Sequence, residues 1–235
     1  MRRILEPFRN TFLHPQWLSL RYHRNSRRYL REIAGCRVLD IGSGDSEQYA
    51  LMGPDCQLLR LDYPATNASY RHLPDIYANA AMLPVREGAM DVVLLLEVLE
   101  HVPDDGLVLR EIHRVLKAGG RLYISVPFVY PLHDVPADFR RYTLYGLRLL
   151  LDRAGFVPGR ELYHGNSFVA ALQLFNLSLM EMARDIHFRR PFAGWLLAIL
   201  FYPLCISVNL LACPFLFLPG TRASCLGYFF TAIRK

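Results

Sequence analysis

Four runs of apolar residues, at 37–42, 57–62, 90–98 and 121–128, are rich in Val, Leu and Ile and alternate little with polar positions. That is the pattern of strands buried on both faces, as in a parallel sheet covered by helices. Between the third and fourth runs the period changes. From Asp104 to Lys117, the residues Leu107, Leu109, Ile112, Val115 and Leu116 form a helical stripe; Asp104 and Asp105 suit its start, Lys117 its end, and Gly119-Gly120 stops it. Strand alternating with helix predicts a doubly wound α/β sheet with ligands at the carboxyl ends of the strands. A last apolar run, Gly227 to Lys235, reads as a terminal strand.

The ends of the first two runs carry the most specific signal. Arg37-Val-Leu-Asp-Ile-Gly-Ser-Gly-Asp-Ser46 is a strand that breaks into a glycine turn, and eighteen residues past Gly44 the second run ends in Asp62. Gly42 and Gly44 let backbone approach a ligand closely, and Asp62 is placed to accept hydrogen bonds from both hydroxyls of a ribose. A dinucleotide fingerprint needs a third glycine three residues after the second. Position 47 is Glu, whose charge also repels phosphates. An adenosyl cofactor without phosphates, carrying a cationic sulfonium, tolerates acids at Asp40, Asp45 and Glu47, so the sequence favours S-adenosylmethionine.

From Arg37 to Phe156 the chain resembles the class I S-adenosylmethionine-dependent methyltransferases, in particular the type 11 family. The resemblance rests on Val38-Leu-Asp-Ile-Gly-Ser-Gly44, Asp62, Asn79-Ala-Ala-Met-Leu-Pro-Val85, Met90-Asp-Val-Val-Leu-Leu-Leu-Glu-Val-Leu-Glu-His-Val102 and Val115-Leu-Lys-Ala-Gly-Gly-Arg-Leu122, in that order. It implies a Rossmann-like sheet of seven strands with the last antiparallel. It also implies cofactor contacts at Asp40, Gly42, Ser43, Gly44, Asp62, Tyr63, Asn79, Ala80 and Glu97. Two positions depart from the family: a third glycine common in the first loop is Ser46, and the acid that commonly faces the adenine amino group is Asn79, whose amide oxygen still accepts a hydrogen bond.

Composition adds organisation around this core. With 235 residues, 52% of them apolar, the chain is long enough for one such domain and additions to it. Five cysteines, at 36, 56, 205, 213 and 225, form no Cys-x-x-Cys pair and no cluster with His, which argues against zinc or a disulfide framework; no metal ligand set is read from the sequence. Nine of the first 37 residues are Arg, against Glu6 and Glu32, and Arg2-Arg3 is followed by Glu6, Pro7 and Arg9 rather than the apolar core of a signal peptide. Residues 1–36 therefore read as a basic helical extension, with Leu18, Tyr22, Tyr29 and Leu30 packing on the domain or with its arginines contacting anionic headgroups. No nucleic-acid module accompanies the charge, so nucleic acid is not expected as a partner.

Residues 37–166 are read as the cofactor-binding core, 167–221 as a helical apolar insert and 222–235 as the last strand. In the insert, Phe168, Leu172, Phe175, Leu179, Met182 and Ile186 recur at helical spacing, and the 31 residues between Arg190 and Arg222 carry no charge. If the last strand rejoins the sheet, the chain must return to the side it left, which requires an even number of membrane crossings. Two crossings need about 40 residues plus a turn. The uncharged run is then expected to dip into one leaflet as a hairpin broken near Pro203 and Pro214, or to lie along the interface, which holds a cytoplasmic enzyme at a membrane as a peripheral or monotopic protein.

Methyl transfer from a sulfonium needs in-line alignment, and an oxygen nucleophile also needs its proton removed. His101, after Glu100 and the run ending near Glu97, is one candidate base. His133 is the other, in Pro131-Leu-His-Asp-Val-Pro-Ala-Asp-Phe-Arg-Arg-Tyr-Thr143. That loop resembles a pattern in methyltransferases associated with bacterial cell-envelope polysaccharides and lipid-linked sugars, and Asp138, Arg141 and Tyr142 are its further candidates, the last two as acceptor contacts. The expectation is O-methylation of a lipid-linked saccharide or another small acceptor at a membrane. A quinone or isoprenoid acceptor, and a non-catalytic membrane assembly module retaining the cofactor fold, are the alternatives.

Overall fold

The computed structural model describes residues 5–44, 47–64, 73–219 and 223–235; Asp45, Ser46, Arg2, Arg3 and Arg222 lie outside them, as do the side chains of Glu6 and Glu47. Seven strands form one sheet: β1 (Arg37–Ile41), β2 (Gln57–Asp62), β3 (Ile76–Tyr77), β4 (Met90–Leu96), β5 (Leu116–Pro127), β6 (Phe156–Tyr163) and β7 (Gly227–Arg234). Their order is β3-β2-β1-β4-β5-β7-β6, with β3, β2, β1, β4 and β5 parallel to one another and the last strand in chain order antiparallel. The order reverses between β1 and β4, which is where an open α/β sheet leaves a crevice for ligand. Val38, Leu39, Val92, Val93, Leu94 and Leu95 are all buried, as the uninterrupted apolar runs require.

The chain packs as two compact units. The larger contains 26–128, 132–162 and 228–235, hence nearly all of the sheet. Its helices include α2 (Asp105–Val115), capped by Asp104, whose carboxylate accepts from Leu107 N at 2.8 Å, and α3 (Leu144–Arg153), whose cap Thr143 accepts from Gly146 N at 3.0 Å. The helix expected over 104–117 stops at Val115, and Leu116 already pairs with Met90. Gly119 and Gly120 therefore lie inside β5, at a register shift opposite Asp91, and Lys117 pairs with Asp91 instead of closing a helix. The buried face of α2 is Val108, Leu109, Ile112 and Val115, while Leu107 is turned outward.

The smaller unit contains 5–25, 129–131 and the chain between β6 and β7. It holds α1 (Trp17–Arg27), α4 (Ser167–Arg189) and α5 (Pro191–Ala212), followed by a short turn of 3-10 helix at Cys213–Phe217. Trp17, Leu18, Val169, Ala170, Ala212 and Leu226 form its core. The helices α4 and α5 make a hairpin that turns at Arg190, where any side chain on Gly194 would sit 2.4 Å from the backbone of His187. Two features differ from the expectation. The hairpin is built from the amphipathic segment and the uncharged run together, and Pro203 lies inside a continuous helix instead of breaking it; only Pro214 falls past a helix end.

Of the α4 stripe, Phe168, Phe175 and Met182 are exposed while Leu172, Leu179 and Ile186 are half-buried, and the buried residues of the two helices are Val169, Ala170, Gln173, Asn176, Leu177, Ala183, Gly194, Ala198, Cys205, Val208, Asn209 and Ala212. The amide N–H groups of the seam between them have named partners: Asn176 donates to Asn209 Oδ1 at 3.0 Å, Asn209 to the carbonyls of Phe12 and His14 at 2.7 and 2.9 Å, and Gln173 to that of Pro15 at 3.1 Å, while Asn176 Oδ1 is buried and accepts no hydrogen bond. Small and hydrogen-bonded residues share the interior with Val169, Leu177 and Val208, and many large apolar side chains are left outside, which is unusual for a water-soluble bundle.

Candidate active site

All fourteen residues singled out from sequence as site candidates lie in the larger unit, at or just past the carboxyl ends of β1, β2, β3 and β4 or in the loop after β5. At the switch point, Gly42 has φ +71° and Gly44 φ +47°, a region that favours glycine. A Cβ on Gly42 would lie 2.3 Å from Val98 Cγ2, so the turn packs against Val98 with no room for a side chain. Gly42 N and Ser43 N donate to Leu61 O at 2.8 and 3.2 Å, which ties the turn to β2. Asp62 tightens the same junction, accepting from Gly44 N at 3.0 Å and Tyr63 N at 2.7 Å. Each carboxylate oxygen keeps further lone-pair capacity, so Asp62 can be held by the turn and still receive ligand hydroxyls.

Asp40 is buried and accepts from Tyr49 OH at 2.6 Å; burial, then the Asp40 charge, push the Tyr49 hydroxyl far above its ordinary pKa. Asn79 Oδ1 accepts from Ala81 N at 2.9 Å, an Asx turn, so the oxygen expected to meet the adenine amino group is partly committed to its own loop. Ala80 is buried beside it. The loop is fastened by two residues that the sequence reading missed. Glu111 accepts from Leu83 N at 2.8 Å, and Arg114 pairs with Glu111 while donating to Leu83 O and Val85 O at 3.0 and 2.8 Å. These residues fit an adenosyl cofactor: a glycine turn, an acid at the ribose position and a braced loop beyond it.

Past β4, Glu97 adopts φ +57°, and a short turn, Leu99–His101, places Glu100 and His101. Glu100 is 0% exposed, and neither of its carboxylate oxygens has a hydrogen-bond partner. Burial, and then the nearby Glu97 charge, raise its carboxyl well above the usual range. The loop after β5 folds over this point, with Phe139 N donating to Glu100 O at 2.9 Å and His101 Nδ1 lying 2.7 Å from Ala137 O. His133 N donates to Asp138 Oδ2 at 2.9 Å, and its Nδ1 lies 3.2 Å from the same oxygen. Arg141 grips Asp138 with two contacts of 2.6 and 2.7 Å. Burial alone would raise the Asp138 carboxyl, but Arg141, the His133 N–H and the His133 ring outweigh it and hold it at about 2.

Two candidates therefore take parts other than those expected. Arg141 is spent on Asp138, and Tyr142 is buried with its hydroxyl against Leu99 O at 3.2 Å and Asp105 Oδ2 at 3.0 Å. Neither presents itself as a direct acceptor contact; both brace the loop, as does Arg140 through the carbonyls of Val102 and Pro103. His101 and His133 are brought together, edge to face, with ring centroids 4.8 Å apart. Glu100, which joins them, was missed as a site residue. The spacing Glu97-x-x-Glu100-His101 was its only trace in the sequence.

Comparison with known proteins covers the same part of the chain. Residues 39–124 match the Methyltransf_11 family model, described as a methyltransferase domain. A probable S-adenosylmethionine-dependent methyltransferase of Mycobacterium tuberculosis is 30% identical over 161 residues, covering 61% of this chain and 59% of that protein. A ubiquinone biosynthesis O-methyltransferase of Xanthomonas oryzae is 31% identical over 121 residues, covering 46% and 48%. The chain spans about half the length of the curated relatives it matches. Among solved structures, the cyclase SpnF superposes with a TM-score of 0.57 at 18% identity, covering 91% of this chain and 80% of that one. Residues 39–124 thus match a methyltransferase-domain model, and the sheet has the class I methyltransferase fold.

Proposed function

We propose that the protein transfers a methyl group from S-adenosylmethionine to an oxygen of a small acceptor at a membrane surface. The cofactor assignment is carried by the Gly42 turn fastened to Asp62 at the switch point of the sheet. Bound there, S-adenosylmethionine supplies a methyl carbon on a positively charged sulfur. Asp62 receives the ribose hydroxyls, Asn79 and Ala80 flank the adenine, and Asp40, Ser43, Gly44, Tyr63 and Glu97 complete an acidic, phosphate-excluding wall. In-line placement of acceptor and methyl group is worth up to roughly 7–11 kcal/mol in favourable cases, so no covalent enzyme nucleophile is needed. The proton of the acceptor hydroxyl is handled where His101 and His133 converge on Glu100, with Asp138 fixing the orientation of His133.

The membrane reading is supported by the surface of the α4–α5 hairpin. Phe192 is 77% exposed and Phe217 86%, and Ile199, Leu200, Leu204 and Leu211 are exposed along the same uncharged stretch. The segment Pro191–Phe217 is long and apolar enough to cross a membrane, and Arg189 and Arg190 at its start line a groove with Ile186, Ala193, Leu196 and Leu197. Apolar side chains below and arginines at headgroup level are what a monotopic anchor uses. We favour a lipid-linked saccharide as acceptor, from the Pro131–Thr143 loop pattern, on the cytoplasmic side. The name of the Xanthomonas relative favours a quinone as the second reading. A module that keeps the fold without methyl transfer is the third, since one fold serves many reactions.

Incubating the purified protein with methyl-labelled S-adenosylmethionine and membrane extract, then separating lipid, lipid-linked sugar and soluble fractions, decides among them. Label in the lipid-linked sugar fraction is the expected result, and label in quinone lipids selects the second reading. Label confined to soluble molecules removes the membrane acceptor. Cofactor binding without any transfer leaves the non-catalytic module.

A further inference from the structure

Three groups around Glu100 share one chemical property: each offers a lone pair. His101 Nδ1 lies 2.7 Å from a backbone carbonyl, which requires Nδ1 to carry a proton, so that in the neutral ring Nε2 is the acceptor. His133 Nδ1 lies 3.2 Å from Asp138 Oδ2 and 3.4 Å from Arg141 Nη2, and the shorter contact to the carboxylate favours the same tautomer. Both Nε2 atoms face Glu100 Oε1, at 3.7 and 3.9 Å. Glu100 itself is fully buried and receives no hydrogen bond on either oxygen. One ligand atom from each of the three residues fits within 4.8 Å of the others. Arg141 is a positive group close enough to act on Glu100 but donates to neither of its oxygens, so the space between the three groups suits a cation.

The surroundings are those of a metal site as well. Histidines that bind metal through Nε2 almost always donate Nδ1–H to a carboxylate or a carbonyl, which sets the tautomer and the ring direction. Here one histidine uses each device, Ala137 O for His101 and Asp138 for His133. Asp138 is locked in turn by Arg141, and the loop carrying both is pinned to Glu100 through Phe139 N. Ligands at about 2.0–2.2 Å from a common ion lie no more than about 4.4 Å apart, so binding draws the three groups together from their present spacing.

We propose that Glu100, His101 and His133 bind a divalent transition-metal ion, with Zn²⁺ and Mn²⁺ as the chemistry that two imidazoles and one carboxylate suit. Three protein ligands leave coordination positions for acceptor oxygens. The inference deepens the methyl-transfer reading and rests on it only for what the ion does; binding stands or falls alone. In that reaction the ion replaces a side-chain base. It lowers the pKa of an acceptor hydroxyl that reaches it, so the proton leaves to water. The oxygen's electron pair then forms the O–C bond, and the pair of the breaking C–S bond stays on sulfur as a neutral thioether.

The test is titration of the full-length, chelator-treated protein with Mn²⁺, followed by electron paramagnetic resonance, and with Zn²⁺ by calorimetry, in parallel with S-adenosylmethionine binding. One ion per chain is expected. Glu100→Gln and His133→Ala should each weaken it at least tenfold while changing cofactor affinity less than twofold, which shows that the variants fold; His101→Ala is a third variant should either fail to do so. Absence of stoichiometric binding, or binding indifferent to all three substitutions, overturns the inference and leaves Glu100 to be neutralised by a proton. Methyl transfer that persists in chelator also overturns the catalytic part, with the proposed function intact. Site-dependent metal binding in a protein that does not bind S-adenosylmethionine upholds the metal site and ends the methyltransferase reading.

Discussion

Gly42 shows how much one missing Cβ can decide. A side chain there would meet Val98 Cγ2 at 2.3 Å, and its φ of +71° is strained for any L-residue. The two costs are separable. Gly42→Ala should destabilise the protein by about 1–3 kcal/mol, the range for overpacking and a left-handed backbone, and weaken S-adenosylmethionine binding at least tenfold. Adding Val98→Ala removes the clash but leaves the dihedral, so thermal melting of the double variant should recover part of the loss. Full recovery would mean that the backbone carries no strain. At Asp62 the balance runs the other way: Asp62→Ala removes two backbone contacts at 2.7 and 3.0 Å together with the ribose acceptor, so calorimetry should show cofactor affinity falling by more than the melting temperature predicts.

Glu111 belongs to the scale of elements, because it joins α2 to the loop after β3. Replacing it with Ala strands the N–H of Leu83 and frees Arg114, which should cost about 1.5–3 kcal/mol, the range for bonds to a charged group, and loosen the 79–85 loop. Its carboxyl is held below the usual range, first by Arg114 and then, against burial, by Leu83 N–H; Asp75 with Arg60 and Asp91 with Lys117 are lowered in the same way. A depressed folded pKa means that the unfolded chain binds protons first as pH falls. The contribution of these carboxylates is therefore complete above an ordinary carboxyl pKa of about 4 and is lost as pH drops through their lowered values. Denaturant midpoints measured from pH 6 down to pH 3 should fall, and Glu111→Ala should flatten that fall.

The same elements show what was legible in the sequence. β1, β2 and β4 stood out because strands buried on both faces are apolar without interruption, and their ends marked Gly42, Gly44 and Asp62. β6 did not, since Val-Pro-Gly-Arg-Glu in Phe156–Tyr163 breaks both the apolar run and any alternation. The end of α2 was misread because glycine signals both a helix stop and a bulge, and only pairing with β4 distinguishes them. The acceptor site was half legible. His101 and His133 could be named, but Glu100 joins them only when the loop after β5 folds back by way of Phe139 and Ala137, a contact across more than 30 positions that no local pattern encodes.

At the scale of the whole molecule the unresolved question of the sequence was which side of the amphipathic segment faces in. Periodicity identifies two faces of a helix but presumes water outside when it assigns them. Here the interior of α4 and α5 mixes small residues and hydrogen-bonded amides with Val169, Leu177 and Val208, and many of the largest apolar residues are left on the surface. Replacing Ile199 and Leu200, 67% and 65% exposed, with Asn removes no packing from that interior. The double variant should keep its melting temperature to within a few degrees and lose most of its flotation with vesicles of anionic lipid. Arg189→Glu with Arg190→Glu should weaken flotation on anionic vesicles more than on neutral ones, because each arginine near an anionic surface contributes about 1 kcal/mol. Undiminished flotation of both variants would move the anchor to the arginine-rich N-terminus. Aggregation of the wild type that the Asn variant cures, without vesicle binding in either, would instead assign the exposed face to a second copy of the chain.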